Sequence, residues 1–249
     1  MAKHTENTEN DEEKILMDIE KFGWTVIMVD GTDYLPTFAY TIGLYKNYKH
    51  PEIIAFGLDS ETLFGTINDI GEGIKSGEKF QIQRNYPELF ENSRTEFIKV
   101  DPENIEDYFG YAVDFYEDNT FPALELIWTD EKDAFPWDKH YDSDFQFSQP
   151  LLDRNMTFKF LEEKNLDVFT TRQFLENSTT ITQVFHDEQG NWFFSTLDSK
   201  PNDMKHTTLE NIIRIDNTLN ELFHLDYGEQ AIRGSRSETW TKSKNTNRA

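Results

Sequence analysis

The sequence predicts an α+β fold in two parts, a larger N-terminal mixed sheet-and-helix domain and a smaller α+β C-terminal one. Two runs, Phe38–Leu44 and Glu52–Leu58, read as adjacent strands. Strand and helix patterns then follow one another without strict β-α alternation. Finally, acidity is concentrated in one part of the chain: residues 1–150 carry 12 Lys/Arg against 32 Asp/Glu, a net of −20, while residues 151–249 carry 12 against 15. The expected organisation is a flexible N-terminus over 1–9, a domain over 10–152, a connection over 153–165, a small module over 166–240 and a tail over 241–249.

In chain order, Ile15, Leu16, Ile19 and Phe22 lie at helical spacing, so a helix is expected from Asn10 or Asp11 to a stop at Gly23. Trp24–Val29 is a β-branched run that reads as a strand, and Asp30-Gly31 is a turn signal. Phe38, Tyr40 and Ile42 share one face of the next strand. Ile53-Ile54-Ala55-Phe56 is apolar on both faces, the pattern of a strand covered on each side. A short polar connection joins the two, and Gly43 and Gly57 permit a bulge or a close backbone approach at their ends. Asp59 or Ser60 caps a helix carrying Leu63, Phe64, Ile67, Ile70 and Ile74 on one face, closed by Gly77. Strands are expected over Lys79–Arg84, Glu96–Val100 and Ala123–Trp128, with a helix from Asp101-Pro102 through Phe115 or Tyr116. Asp130–Gln149 reads as an irregular acidic segment rich in aromatics.

The residues Gly23-Trp24, Phe38-Ala39-Tyr40-Thr41-Ile42-Gly43-Leu44, Pro51-Glu52, Phe135-Pro136-Trp137 and Gln149-Pro150 together resemble the bacterial domain-of-unknown-function family 4262. The resemblance covers residues about 10–152. It implies a compact domain, often fused to other modules, and brings no activity with it.

Beyond it, Thr170 or Thr171 caps a short helix through Leu175, and Ile181–Phe185 and Trp192–Thr196 form a hairpin. Leu209, Ile212 and Ile213 mark a helix, and Asp216 caps a second one. Trp240 is expected to fold back onto this module. The pattern His186-Asp187-x-x-Gly190-x-Trp192 with Asp216-x-x-Leu219-Asn220-Glu221-Leu222 resembles small uncharacterised bacterial modules.

Composition excludes several classes. There is no cysteine, so no disulfide, thiolate nucleophile or cysteine zinc site exists. No apolar run approaches the roughly 20 residues that span a bilayer, and the first residues lack a secretory signal, so a cytoplasmic protein is expected. A net charge of −23 repels phosphate backbones and disfavours direct nucleic-acid binding. An aromatic share of 14% argues against wholesale disorder. No phosphate loop, nucleophile elbow or His-Glu-x-x-His occurs, and no cofactor follows from the residues.

Four constellations remain. His50 and Glu52 flank Pro51 as candidates for general acid–base work, against a structural role for both. Asp130, Asp133, Asp138, His140, Asp142 and Asp144 form an oxygen-rich segment, but neither the spacing nor the glycine of a calcium loop is present, so no metal is expected. Tyr40, Trp128 and Phe135, with Trp137, line a pocket near the Phe38–Leu44 strand or simply pack. His186, Asp187 and His206 read as turn chemistry. The leading expectation is a non-enzymatic acidic interaction module, of the immunity-protein or antitoxin kind, that docks a basic protein. Asp130, Glu131, Asp133, Trp137 and Asp138 are its expected surface, since aromatics anchor and carboxylates steer. The alternative is a small-molecule-binding domain or enzyme with its pocket near the Phe38–Leu44 strand and the Phe135–Trp137 loop.

Overall fold

The computed structural model describes residues 5–32, 35–90, 93–142, 145, 148–153, 158–160 and 162–244. Its architecture is α+β, with a five-stranded and a six-stranded sheet. Two compact units result, Met1–Gly31 with Pro36–Asn155, and Met156–Ala249 with Thr32–Leu35.

The first unit is built on the strands β1 (Thr25–Val29), β2 (Phe38–Ile42), β3 (Glu52–Phe56), β4 (Thr95–Lys99) and β5 (Ala123–Trp128), in the spatial order β1-β2-β3-β5-β4. β3 and β5 run parallel and every residue of both is buried, Glu52 and Glu125 included among otherwise apolar residues. Helix α3 (Ser60–Lys75) covers one face: Leu63, Ile67, Ile70 and Ile74 pack with Ala39, Ile53, Ala55, Phe97 and Leu126. Its start is capped by Asp59, whose side chain accepts from Thr62 N. The opposite face carries Phe38, Tyr40 and Phe56, against which Tyr108 and Phe109 pack edge-on or tilted at ring separations of 5.2–5.8 Å. Those two aromatics belong to α4 (Ile105–Tyr108) and the junction before α5 (Gly110–Tyr116).

Several expectations change. Helix α1 spans Thr5–Phe22 and so starts before Asn10, within the stretch expected to be flexible. Apolar periodicity begins only at Ile15, and a polar extension of a helix carries no such signal. The polar connection between β2 and β3 holds a helical turn, α2 (Leu44–Tyr48). The helix expected from Asp101-Pro102 is broken into a 3-10 turn (Pro102–Asn104), α4 and α5. Lys79–Arg84 is not a strand; one bridge, Ile82 to Phe97, is all that forms. Gln83 there adopts a positive φ of 58°, and side chains take the N–H groups a ladder would use: Phe80 N donates to His50 Nε2 and Gln81 N to the Tyr86 hydroxyl.

The second unit holds β6 (Asp167–Thr171), β7 (Gln183–His186), β8 (Trp192–Ser195), β9 (Met204–Thr208), β10 (Glu229–Ile232) and β11 (Thr241–Lys244), ordered β11-β10-β7-β8-β6-β9. The β7–β8 hairpin is as expected. Helices α6 (Arg172–Asn177) and α7 (Leu209–Ile215) are capped by Thr171 and Thr208. The segment after Asp216 is a 3-10 helix that Asp216 caps through Thr218 N. Thr241–Lys244, expected as tail, pairs with β10; residues 245–249 lie outside the described residues.

Candidate functional site

The family-like motif is tied together by one carboxylate. Glu52 opens β3 with no solvent exposure. Its Oε1 accepts from Gly43 N (3.0 Å), Tyr45 N (3.0 Å) and the Tyr116 hydroxyl (2.5 Å), and its Oε2 from the Thr41 hydroxyl (2.5 Å). Gly43 reaches this position with φ 112°, and a Cβ there would meet Gly23 O at 2.8 Å, so only glycine fits. Burial pushes the Glu52 pKa up, and the four donors oppose that push. Thr41 Oγ1 already accepts from Ile53 N, and the Tyr116 hydroxyl from Lys46 N. Each hydroxyl therefore directs its proton to Glu52, the wiring of an ionised carboxylate. The four bonds, three at Oε1 and one at Oε2, hold the carboxylate in place between β2, α2 and α5.

His50 is also engaged at both ring nitrogens. Nε2 accepts from Phe80 N (3.3 Å), so the proton sits on Nδ1, which donates to Pro51 O (2.8 Å). Burial pushes its pKa down and favours this neutral form. The two candidates thus have separate partners, and both tie the β2–β3 connection to its neighbours.

Of the aromatic candidates, Tyr40, Trp128 and Phe135 are buried. The Tyr40 hydroxyl accepts from Tyr111 N (3.2 Å), fixing α5 on β2. Trp128 donates its indole N–H to Phe56 O (2.9 Å), and its backbone N and O bond the Gln149 amide. Phe135 stacks on Trp137 at 4.9 Å, with the Arg94 guanidinium over its ring. Gly57 meets the chain at Ser148, where a Cβ would lie 2.2 Å from the carbonyl oxygen. The Gln149 region is thereby held to the sheet.

Along the acidic segment, most carboxylates serve the loop itself. Asp130 is buried and accepts from Lys132 N, Ala134 N and Asp142 N. Burial opposes its ionisation, but these N–H groups prevail and hold its pKa low. Asp133 pairs with Arg94 (2.8 Å), and Asp138 accepts from Phe135 N (3.0 Å). Asp142 pairs with Lys132 (2.8 Å). Glu131 is exposed and Trp137 is 42% exposed. Asp144 lies outside the described residues. Among the described residues no group of three or more His, Cys, Asp or Glu could hold a metal ion.

In the second unit, His186 stacks on Trp192 at 4.0 Å and bonds Leu225 O, and Asp187 takes the N–H groups of Gln189 and Asn191 within the hairpin turn. His206 pairs with Asp167 (2.6 Å) on the surface.

An open cleft of about 900 Å³ lies elsewhere, between α1 and α5. Its wall carries Glu12, Glu106, Asp114, Glu117 and Asp118, and Lys46 is its one basic lining residue. Lys46 lies 4.7 Å over the Phe115 ring. Ile15, Leu16, Val113 and Phe115 supply apolar surface between the charges. Low-dielectric walls carrying one sign of charge focus the field outward. No local pattern joins Glu12 on α1 to the other four, which lie about a hundred residues later between Glu106 and Asp118. The 14 acids against 2 bases over residues 101–144 were the available signal.

No helix among the described residues is long and apolar enough to cross a membrane. No curated protein matches the chain, and no solved structure does. The family described as "Domain of unknown function (DUF4262)" matches residues 18–142, which include α1 from Asp18, the Thr41–Gly43–Glu52 network and α5, and the protein belongs to that family.

Proposed function

We propose that the first unit is an acidic protein-interaction module, and that its cleft between α1 and α5 docks a basic segment of a partner protein. The observation that carries this reading is the composition of the cleft, five carboxylates around an apolar floor with one lysine. Apolar and aromatic groups supply anchors, while the carboxylates accelerate encounter and select for basic partners. Asp114 and Glu117 are exposed there. Glu52 and His50 each bond groups of their own surrounding chain, which supports a structural role for that pair and a binding function located elsewhere. A basic toxin neutralised by an immunity-type protein is one partner of this chemistry.

The test is a salt-graded pull-down from host lysate with the wild type, the double variant Asp114→Lys/Glu117→Lys and the control Glu131→Lys. A basic protein released at moderate salt, lost by the double variant and kept by the control, is expected. A basic partner kept by the double variant but lost by Glu131→Lys moves the surface to the 130–138 segment. Absence of any basic partner overturns the reading.

A further inference from the structure

A second groove, of about 760 Å³, is lined by Thr25, Val26, Ile27 and Met28 of β1. Consecutive strand side chains point to opposite faces, so a groove that touches all four runs along the edge of the strand. β1 is the end strand of its sheet, and among the described residues no strand pairs with its outer side. Exposed edges are usually blunted by lysine, proline, a bulge or a charge. Thr-Val-Ile-Met-Val contains none of these residues. The groove is walled by α1 and α3, where Phe22 and Phe64 are 44% and 52% exposed. On the α3 wall a Cβ added to Gly65 would meet nothing within 4 Å, which leaves room for another backbone.

We propose that the outer edge of β1 receives an extended, basic-flanked segment of a partner protein as an added strand, seated between α1 and α3. Main-chain hydrogen bonds would hold the segment, and alternate side chains would enter the two apolar walls. The five residues of β1 match about 17 Å of extended chain. The charge of the lining chooses the occupant: Asp18, Asp69 and Glu72 line it against Lys14, and with Lys75 pairing Glu72 at 3.7 Å the carboxylates still outnumber the one lining lysine. A second copy would bring the same acids and the net −20 of residues 1–150 against them, whereas lysine or arginine at the ends of a strand complements them. The groove shares Ile15 and Tyr111 with the acidic cleft, but Asp114 and Glu117 line the cleft and not the groove, so the two sites can be tested separately.

The experiment titrates the full chain into a labelled seven-residue peptide, lysine at each end with valine and threonine alternating between, and reads fluorescence anisotropy. Two N-methylated versions, blocking alternate backbone nitrogens in either frame, separate edge pairing from side-chain contact. Saturable binding is expected, with a loss of about tenfold or more in one frame alone. A glutamate-flanked peptide should bind about tenfold more weakly. Gly65→Trp fills the groove at an open helix position and should abolish binding without lowering the thermal midpoint, while Asp114→Lys/Glu117→Lys leaves binding by the uncharged strand core in place. No saturation up to roughly 1 mM peptide overturns the proposal. Equal binding by both methylated frames also overturns it. So does a concentration-dependent dimer that Gly65→Trp abolishes, which would assign the edge to a second copy.

Discussion

Glu52 and Glu125 are both fully buried glutamates of the same sheet, yet they are treated in opposite ways. Glu52 has four donors, whereas Glu125 accepts only Leu152 N at Oε2 and leaves Oε1 without a partner. Glu52→Gln replaces an ionised acceptor by an amide whose NH2 faces donors, and should destabilise the protein by about 3 kcal/mol in urea unfolding. Burial, with Asp153 adding a like charge, pushes the Glu125 pKa well above its ordinary 4.5. Its contribution to stability is therefore complete below the unfolded value and is lost as pH rises through the folded one, by up to about 1.4 kcal/mol per pH unit in that window. His50 acts in the other direction: its folded pKa lies below 6.5, so its contribution is present above 6.5 and lost as pH falls through the folded value. Denaturant midpoints from pH 5 to 8 for the wild type and Glu125→Gln, an isostere of the neutral acid, should give a difference that favours the variant increasingly with pH. A flat difference would mean that Glu125 is not the neutral group inferred. The sequence marked His50 and Glu52, since a histidine and an acid flank a proline there. It could not show Tyr116 as a partner, because 64 residues separate the two and no local pattern encodes the contact.

Among the helices and strands, backbone conformation separates two glycines that look alike in sequence. Gly43 sits at φ 112° against the Gly23 carbonyl, so Gly43→Ala should cost about 2–3 kcal/mol and lower the thermal midpoint. Gly65 is inside α3 with open space around it, so Gly65→Ala should stabilise by about 1 kcal/mol. Opposite shifts of the two midpoints in one calorimetric series are the expected outcome. The strands β2, β3 and β5 were legible because they are predominantly apolar, with Thr41, Glu52 and Glu125 as the exceptions, and their residues are all buried. The expected Lys79–Arg84 strand has apolar Phe80 and Ile82 in alternation, but tertiary partners for its N–H groups override that pattern. β9 and β11 escaped notice for the converse reason. Met-Lys-His-Thr-Thr and Thr-Lys-Ser-Lys are largely exposed strands without an apolar face, recognisable only through the neighbours they pair with. The acidic cleft was hidden in the same way, its carboxylates being divided between α1 and the region of α4 and α5.

Across the chain, charge rather than any reaction centre is the dominant physical signal. A net of −23 repels itself in the folded state, and salt screens that repulsion. Raising ionic strength from about 0.02 M to 0.15 M, which shortens the screening length to roughly 8 Å, should raise the thermal midpoint while slowing association with a basic partner. A midpoint independent of salt would show that the charges are spaced too widely to matter. The four donors of Glu52 also bear on the order of assembly. Thr41, Gly43 and Tyr45 lie within eleven residues of it, but Tyr116 must arrive from a distant helix. Until α5 docks, water has to stand in for that hydroxyl, so the carboxylate loses its last hydration late on the way to the native state. Kinetically, Tyr116→Phe should then leave the refolding arm of the chevron nearly in place and accelerate unfolding, the mark of a contact absent from the folding transition state.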